Sequence, residues 1–235
     1  MNERALFAAK KFIDSYFPNC STAFLGGSIS LEAETEHSDL DLVILTEDEP
    51  MTSQRCFVEF GWSIETFVYN PHMIHVFLES DSRSGNPLLL RICANGIILK
   101  GGVEAEELKE DAQGRLEEGP PEWNQNQINL ARYTITDLLY DFIGSENPTE
   151  SIFVVNLLAI KIHEFILRTN RQWTGEGKWL VRSLKNFDPQ LAEDFIQSFE
   201  SFYADRKKEP IITFVDETLK PHGGRLFNGY NQPLF

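Results

Sequence analysis

The chain is short of positive charge, of cysteine and of long apolar runs, and each shortage removes a class of protein. Against 36 acidic residues stand 21 basic ones, giving a formal charge of -15 and a pI near 4.7. A nucleic-acid backbone would be repelled by such a surface unless a local basic strip existed, and the sequence has no such strip. The acidity suits a cationic small molecule or a metal–nucleotide complex, and serves equally as a solubility device. The three cysteines, Cys20, Cys56 and Cys93, have no CxxC spacing and no clustered histidines. They read as buried thiols of a reducing compartment rather than a disulfide framework or a zinc site. Residues 1–17 mix acidic and apolar side chains, so neither a secretory signal nor a membrane span is expected there, and a soluble cytoplasmic protein is. No internal repeat or low-complexity tract is evident.

What is present divides into two halves. A length of 235 residues allows two domains, each with its own core. In the first half, Ala5, Ala9, Phe12, Ile13 and Tyr16 recur at helical spacing until Pro18. A strand over 22–25 follows, then Gly26-Gly27-Ser28, a loop, and a strand over 39–45. Two further strands are expected over 56–60 and 63–69 around Gly61. Asn70-Pro71 reads as an N-cap with a first-turn proline, a further helix runs from Pro87 to Gly96, and a closing strand covers 97–99. Residues 103–123 are Glu-rich without apolar periodicity and read as a linker with some helical content. Beyond them the pattern is helical over 128–143, 151–167, 178–186, 189–203 and within 211–219, which suggests a bundle. The expected class is α+β: a mixed-sheet domain over 1–103, a linker over 104–123 and a helical bundle over 124–235.

One feature of the first half contradicts its surroundings. Asp39 and Asp41 interrupt an otherwise apolar strand two positions apart, so their side chains point the same way. At about 4 Å and an effective dielectric near 20, two such carboxylates repel by roughly 4 kcal/mol. An edge strand with a solvated face would explain them, but Val43 and Leu45 continue the same face as apolar residues.

The glycine-serine turn Gly27-Ser28 after one strand, joined to Ser38-Asp39-Leu40-Asp41-Leu42 on the next, resembles the signature of the polymerase-beta-like nucleotidyltransferase superfamily. The resemblance implies that Asp39 and Asp41 hold Mg²⁺, two ions being expected. The ions would neutralise a nucleoside triphosphate, ATP being the expected one, during in-line attack at its α-phosphorus. It implies a third carboxylate from a neighbouring strand, which makes Asp39, Asp41 and Glu65 the expected catalytic and metal-binding set, with Glu59 as the competitor of Glu65. Glu65 is also a candidate general base. Gly26 and Gly27 would let backbone approach a phosphate, with Ser28 and Ser38 in the same turn-and-strand signature.

The second half is similar only in layout to the helical domains of aminoglycoside- and lincosamide-modifying nucleotidyltransferases. Lys178 and Arg182, four apart after two glycines, suit the outer phosphates or pyrophosphate, or else form an exposed basic face. Arg91 interrupts an apolar run and faces either the metals or a buried acid. His72 and His75 lack a third zinc ligand. His163, Glu164 and Glu150 lie in the bundle, where an acid could bind a cationic acceptor or act as base. The segments 173–179 and 223–227 look site-like, while Tyr133, Tyr140, Phe142, Phe153 and Trp173 are expected in the core. The expected activity is transfer of AMP to a hydroxyl of a small molecule, with an antibiotic-type acceptor suggested by layout and charge. Alternatives are modification of a protein side chain as in toxin-antitoxin systems, addition to RNA ends, and a non-catalytic nucleotide sensor.

Overall fold

In a computed structural model, residues 3–27 and 38–231 are described. The chain divides into two compact units, Met1–Pro120 and Pro121–Phe235. The class is α+β: a five-stranded mixed sheet in the first unit and helices in the second.

The sheet has β1 (Thr22–Leu25), β2 (Leu40–Leu45), β3 (Ser53–Glu59), β4 (Trp62–Tyr69) and β5 (Ile97–Lys100) in the order β3-β4-β2-β1-β5. Only the β2–β4 pair is parallel; β1 runs antiparallel to β2 and β5, and β3 to β4. The two-residue side-chain period gives the sheet two different faces. Leu25, Leu40, Leu42, Ile44, Ile64 and Val68 form one face, buried with Ala5, Ala9, Phe12 and Ile13 of α1 (Glu3–Tyr16). Thr66 belongs to that face too, and its hydroxyl donates to the Arg55 carbonyl at 3.1 Å. The opposite face carries Phe24, Val43, Phe67 and Tyr69, the last with its ring 4.9 Å from Phe77 of α2 (Ile74–Ser84). A 3-10 turn (Pro71–Met73) precedes α2, capped by Asn70, whose side chain accepts from the His72 N–H at 2.9 Å. α3 (Leu88–Asn95) then leads into β5.

Residues 103–118, expected as part of a linker, form the helix α4 (Val103–Glu118), and the division between units falls at 120/121. Ala105, Leu108 and Ala112 share one face and are buried, while Lys109 and Gln113 donate to the carbonyls of Gly96 and Ala94. Two of the three buried side chains are alanines, so the apolar stripe is too small to read through the glutamates around it.

The second unit contains α5 (Gln125–Gly144), α6 (Pro148–Thr169), α7 (Lys178–Phe187), α8 (Pro189–Asp205) and α9 (Glu209–Leu219), followed by a 3-10 turn (Lys220–His222). Asn124, Asn147 and Asp188 cap α5, α6 and α8 with their side chains. Phe142, Leu158, Phe165, Leu184, Phe202 and Val215 lie in its core. Phe153, expected in the core, is instead 71 % exposed on α6. It stands on the opposite side of the helix from the buried row of Ser151, Val155, Leu158 and Ile162. No described helix is long and apolar enough to cross a membrane.

Candidate active site

Register brings the acidic residues together. In the parallel β2–β4 pair Asp41 stands opposite Glu65, and in the antiparallel β3–β4 pair Glu65 stands opposite Cys56. Paired residues point to the same face, so Asp41, Glu65 and Cys56 form a row across three strands. Asp39, just before β2, completes the cluster: one carboxylate oxygen from each of Asp39, Asp41 and Glu65 lies within 4.8 Å of the others. Asp39 is exposed and the other two are half-buried. Among the described residues no other group of histidine, cysteine and carboxylate side chains converges in this way.

Glu59 lies on the other face. It shares the parity of Phe57, which packs toward α1, and it accepts a hydrogen bond from the Tyr16 hydroxyl at 2.8 Å. Glu65 accepts one from the Gln54 amide. Gln54 is two positions from Cys56 on the edge strand and therefore on the cluster's face. Sequence reasoning missed Gln54, because a polar residue at the margin of an expected strand carries no signal until the register is known. Cys56, expected to be a buried thiol, is exposed. It sits on the cluster's side of edge strand β3, lining with Asp39, Ser63 and Glu65 a shallow cavity of about 280 Å³.

The glycines meet the same cluster from β1. The Gly26 N–H donates to the Asp41 carbonyl at 2.8 Å, and Gly27 has φ of 73°. A Cβ on Gly27 would come within 2.0 Å of Asp41 Oδ2, so the carboxylate occupies the space a side chain would need. At Gly26 a Cβ would meet Ile92 of α3 at 2.8 Å. Ser38 is half-buried just before the cluster, whereas Ser28 lies outside the described residues.

The donor set fits a hard divalent cation. Carboxylate oxygens are the ligands Mg²⁺ prefers, at about 2.0–2.1 Å, so the oxygens around one ion stand roughly 3–4 Å apart. A group within 4.8 Å needs little contraction to meet that.

The other expected residues fall into separate settings. Arg91 is largely buried on α3, and the nearby Asp81 charge opposes the lowering of its pKa by burial. His72 pairs with Glu47 at 3.2 Å and His75 with Asp111 at 3.3 Å. In the second unit Lys178 and Arg182 are exposed one turn apart on α7, with Arg182 5.1 Å from the Trp179 ring centre. His163 is buried, its Nε2 3.0 Å from the Ser183 hydroxyl, and burial pushes its pKa down to about 4. Glu164 pairs with Lys161, and Glu150 accepts from Asn147.

The segment 223–227 is held against α5 and α9. Arg132 donates twice to the Gly224 carbonyl, Arg225 forms a two-point pair with Asp216, and the Tyr133 ring stacks on Tyr230 at 4.1 Å.

No protein-family model matches the chain, and no curated protein does. Among solved structures it is similar to a nucleotidyltransferase-like protein from Exiguobacterium sibiricum 255-15, with a TM-score of 0.51 and 11 % identity over 92 % of this chain and 74 % of that one. The first unit's mixed sheet, with the second unit's helices after it, therefore has the fold of a nucleotidyltransferase-like protein.

Proposed function

We propose that the chain is a metal-dependent nucleotidyltransferase that moves a nucleoside monophosphate, AMP, from a triphosphate to a hydroxyl of a small molecule and releases pyrophosphate. The observation that carries this reading is the convergence of Asp39, Asp41 and Glu65 from β2 and β4 in a nucleotidyltransferase-like fold. Those three carboxylates would hold the divalent cations, Mg²⁺, which when bound neutralise the triphosphate and polarise its α-phosphorus toward in-line attack.

The chain's own residues have definable tasks in this reaction. Glu65, its orientation fixed by Gln54, accepts the proton of the attacking hydroxyl or serves as third ligand. Gly27 leaves room for the Asp41 carboxylate, and the backbone at Gly26 and Gly27, with the adjoining Ser28, approaches the phosphates. Lys178 and Arg182 act as phosphate contacts, to be tested by the loss of triphosphate affinity in the K178A/R182A variant. The excess of acidic over basic residues favours a cationic acceptor such as an aminoglycoside- or lincosamide-type antibiotic.

Calorimetry of ATP, GTP, CTP and UTP with Mg²⁺, on the natural chain and on Asp41→Ala, tests the proposal. Binding should require the metal and disappear in the variant. Equal, metal-independent binding by both proteins would remove the mechanism; where binding requires the metal, pyrophosphate release across a panel of hydroxylated amines identifies the acceptor.

A further inference from the structure

The second unit holds a cavity of about 890 Å³ between the end of α6, the start of α8 and one side of α9. That is the size range of small-molecule sites. Its floor is apolar: Leu191 and Phe214 are half-buried there, Phe214 5.8 Å from Phe195, and the fully buried Phe165 lies behind His222, which stands edge-on to it at 5.0 Å.

Its rim is acidic. Asp188, Asp194, Glu209 and Glu217 all line the cavity, and no lysine or arginine does. Lys208, adjacent to Glu209, is directed elsewhere and donates to the carbonyls of Ile143 and Ser145. The pKa of His222 is lowered by burial and by Arg132, so His222 adds no positive charge near neutral pH. Asp188 already caps α8, and Asp194 accepts from Gln190. Glu209 and Glu217 have no hydrogen-bond or ion-pair partner among the described residues.

The spacing of these charges selects the ligand. Glu209 and Glu217 are eight residues apart on α9, roughly 12 Å along its axis at 1.5 Å per residue. A single metal ion cannot reach both, and the four rim carboxylates do not converge as the Asp39 cluster does. Between the acids lies the apolar floor, which attracts methylene groups.

We propose that this cavity binds a linear organic polyamine, its ammonium groups on the separated carboxylates and its methylene linkers on Phe214 and Leu191. The site shares no residue with the Asp39–Asp41–Glu65 cluster.

Titration of spermidine into the full chain by calorimetry, at moderate salt, tests it. One saturable site is expected, weakened about tenfold in Glu209→Gln/Glu217→Gln. Thr213→Lys, an exposed helical position that places an ammonium in the cavity, should abolish binding while leaving the circular dichroism unchanged. Asp39→Asn/Asp41→Asn should bind spermidine as the natural chain does. Absence of saturation at millimolar spermidine, an unchanged affinity in the Glu209/Glu217 variant, or displacement by an equal charge of Mg²⁺ would each overturn the proposal.

Discussion

Replacing Asp81 by asparagine should stabilise the first unit at pH 8 and change nothing at pH 4. Asp81 lies on α2 and acts as a remote cap for α3: its Oδ2 accepts from the Leu90 N–H at 2.9 Å, and the Leu89 N–H also donates to the carboxylate. Burial outweighs those bonds and the Arg91 charge and pushes the pKa from 3.8 up to about 6. Because the folded value is raised, the contribution to stability is full below the unfolded value of about 3.8. It is lost as pH rises through about 6. A displacement from 3.8 to about 6 corresponds to about 3 kcal/mol. Asparagine keeps an acceptor for Leu90 and never ionises, so Asp81→Asn should recover most of that at pH 8, a roughly hundredfold effect in the folding equilibrium. The assay is hydrogen exchange by mass spectrometry on peptides of α2 and α3, which reads the first unit without assuming that both units unfold together. Exchange corrected for its intrinsic rate should slow in the variant at pH 8 and match the natural chain near pH 4. Equal exchange at pH 8, or faster exchange in the variant, would refute the assignment of a buried, destabilising charge at Asp81. The effect bears on the site because Ile92 of the same α3 fills the space beside Gly26.

Three further outcomes are expected. Gly27→Ala combines an unfavourable φ with a Cβ 2.0 Å from Asp41 Oδ2, so it should cost about 1–3 kcal/mol in urea unfolding and lower Mg²⁺-ATP affinity at least tenfold by calorimetry. Gln54→Leu removes the donor to Glu65 and should lower kcat with little change in KM; an unchanged kcat would separate Gln54 from the reaction. His163, with a folded pKa of about 4 against an unfolded 6.5, stabilises the second unit fully above about pH 6.5. That contribution should fall by about 3 kcal/mol as pH drops through 4, read as faster exchange in α6 and α7 of the natural chain.

The strands were legible because their apolar residues alternate with a period of two, and the aspartates stood out by breaking an apolar run. Glu65 could be preferred to Glu59 but not separated from it on sequence alone. The distinction is one of parity in β3 and β4, which only the pairing register reveals: Glu59 faces Tyr16 on α1, and Glu65 faces Asp41. The stretch of α4 reads in sequence as a linker with only some helical content because its buried stripe is two alanines and a leucine. Segment 223–227 looks site-like because glycines, an arginine and a phenylalanine are also what a structural clasp against a helix requires, and its partners Arg132 and Tyr133 are some ninety residues away in sequence.

Three carboxylates held this close need a force that keeps them so before any cation arrives, and the sheet supplies it. A slip of β4 by one residue along β2 would turn Glu65 toward α1 and away from Asp41, relieving a repulsion of roughly 4 kcal/mol per close pair at an effective dielectric near 20. The same slip would turn Ile64 and Val68 out of the α1 core, where each is at most 1 % exposed. Each of those side chains contributes roughly 1.5–3 kcal/mol by burial. It would also break the Thr66 hydroxyl bond to Arg55 and bring Phe67 against α1 in place of smaller side chains. The apolar face thus outweighs the strain on the acidic one, and the register is fixed by residues that never touch substrate. Trimming that face should therefore damage the site at a distance: Val68→Ala should weaken Mg²⁺-ATP binding as well as lower stability, whereas Val76→Ala, on a 57 % exposed side chain of α2, should do neither.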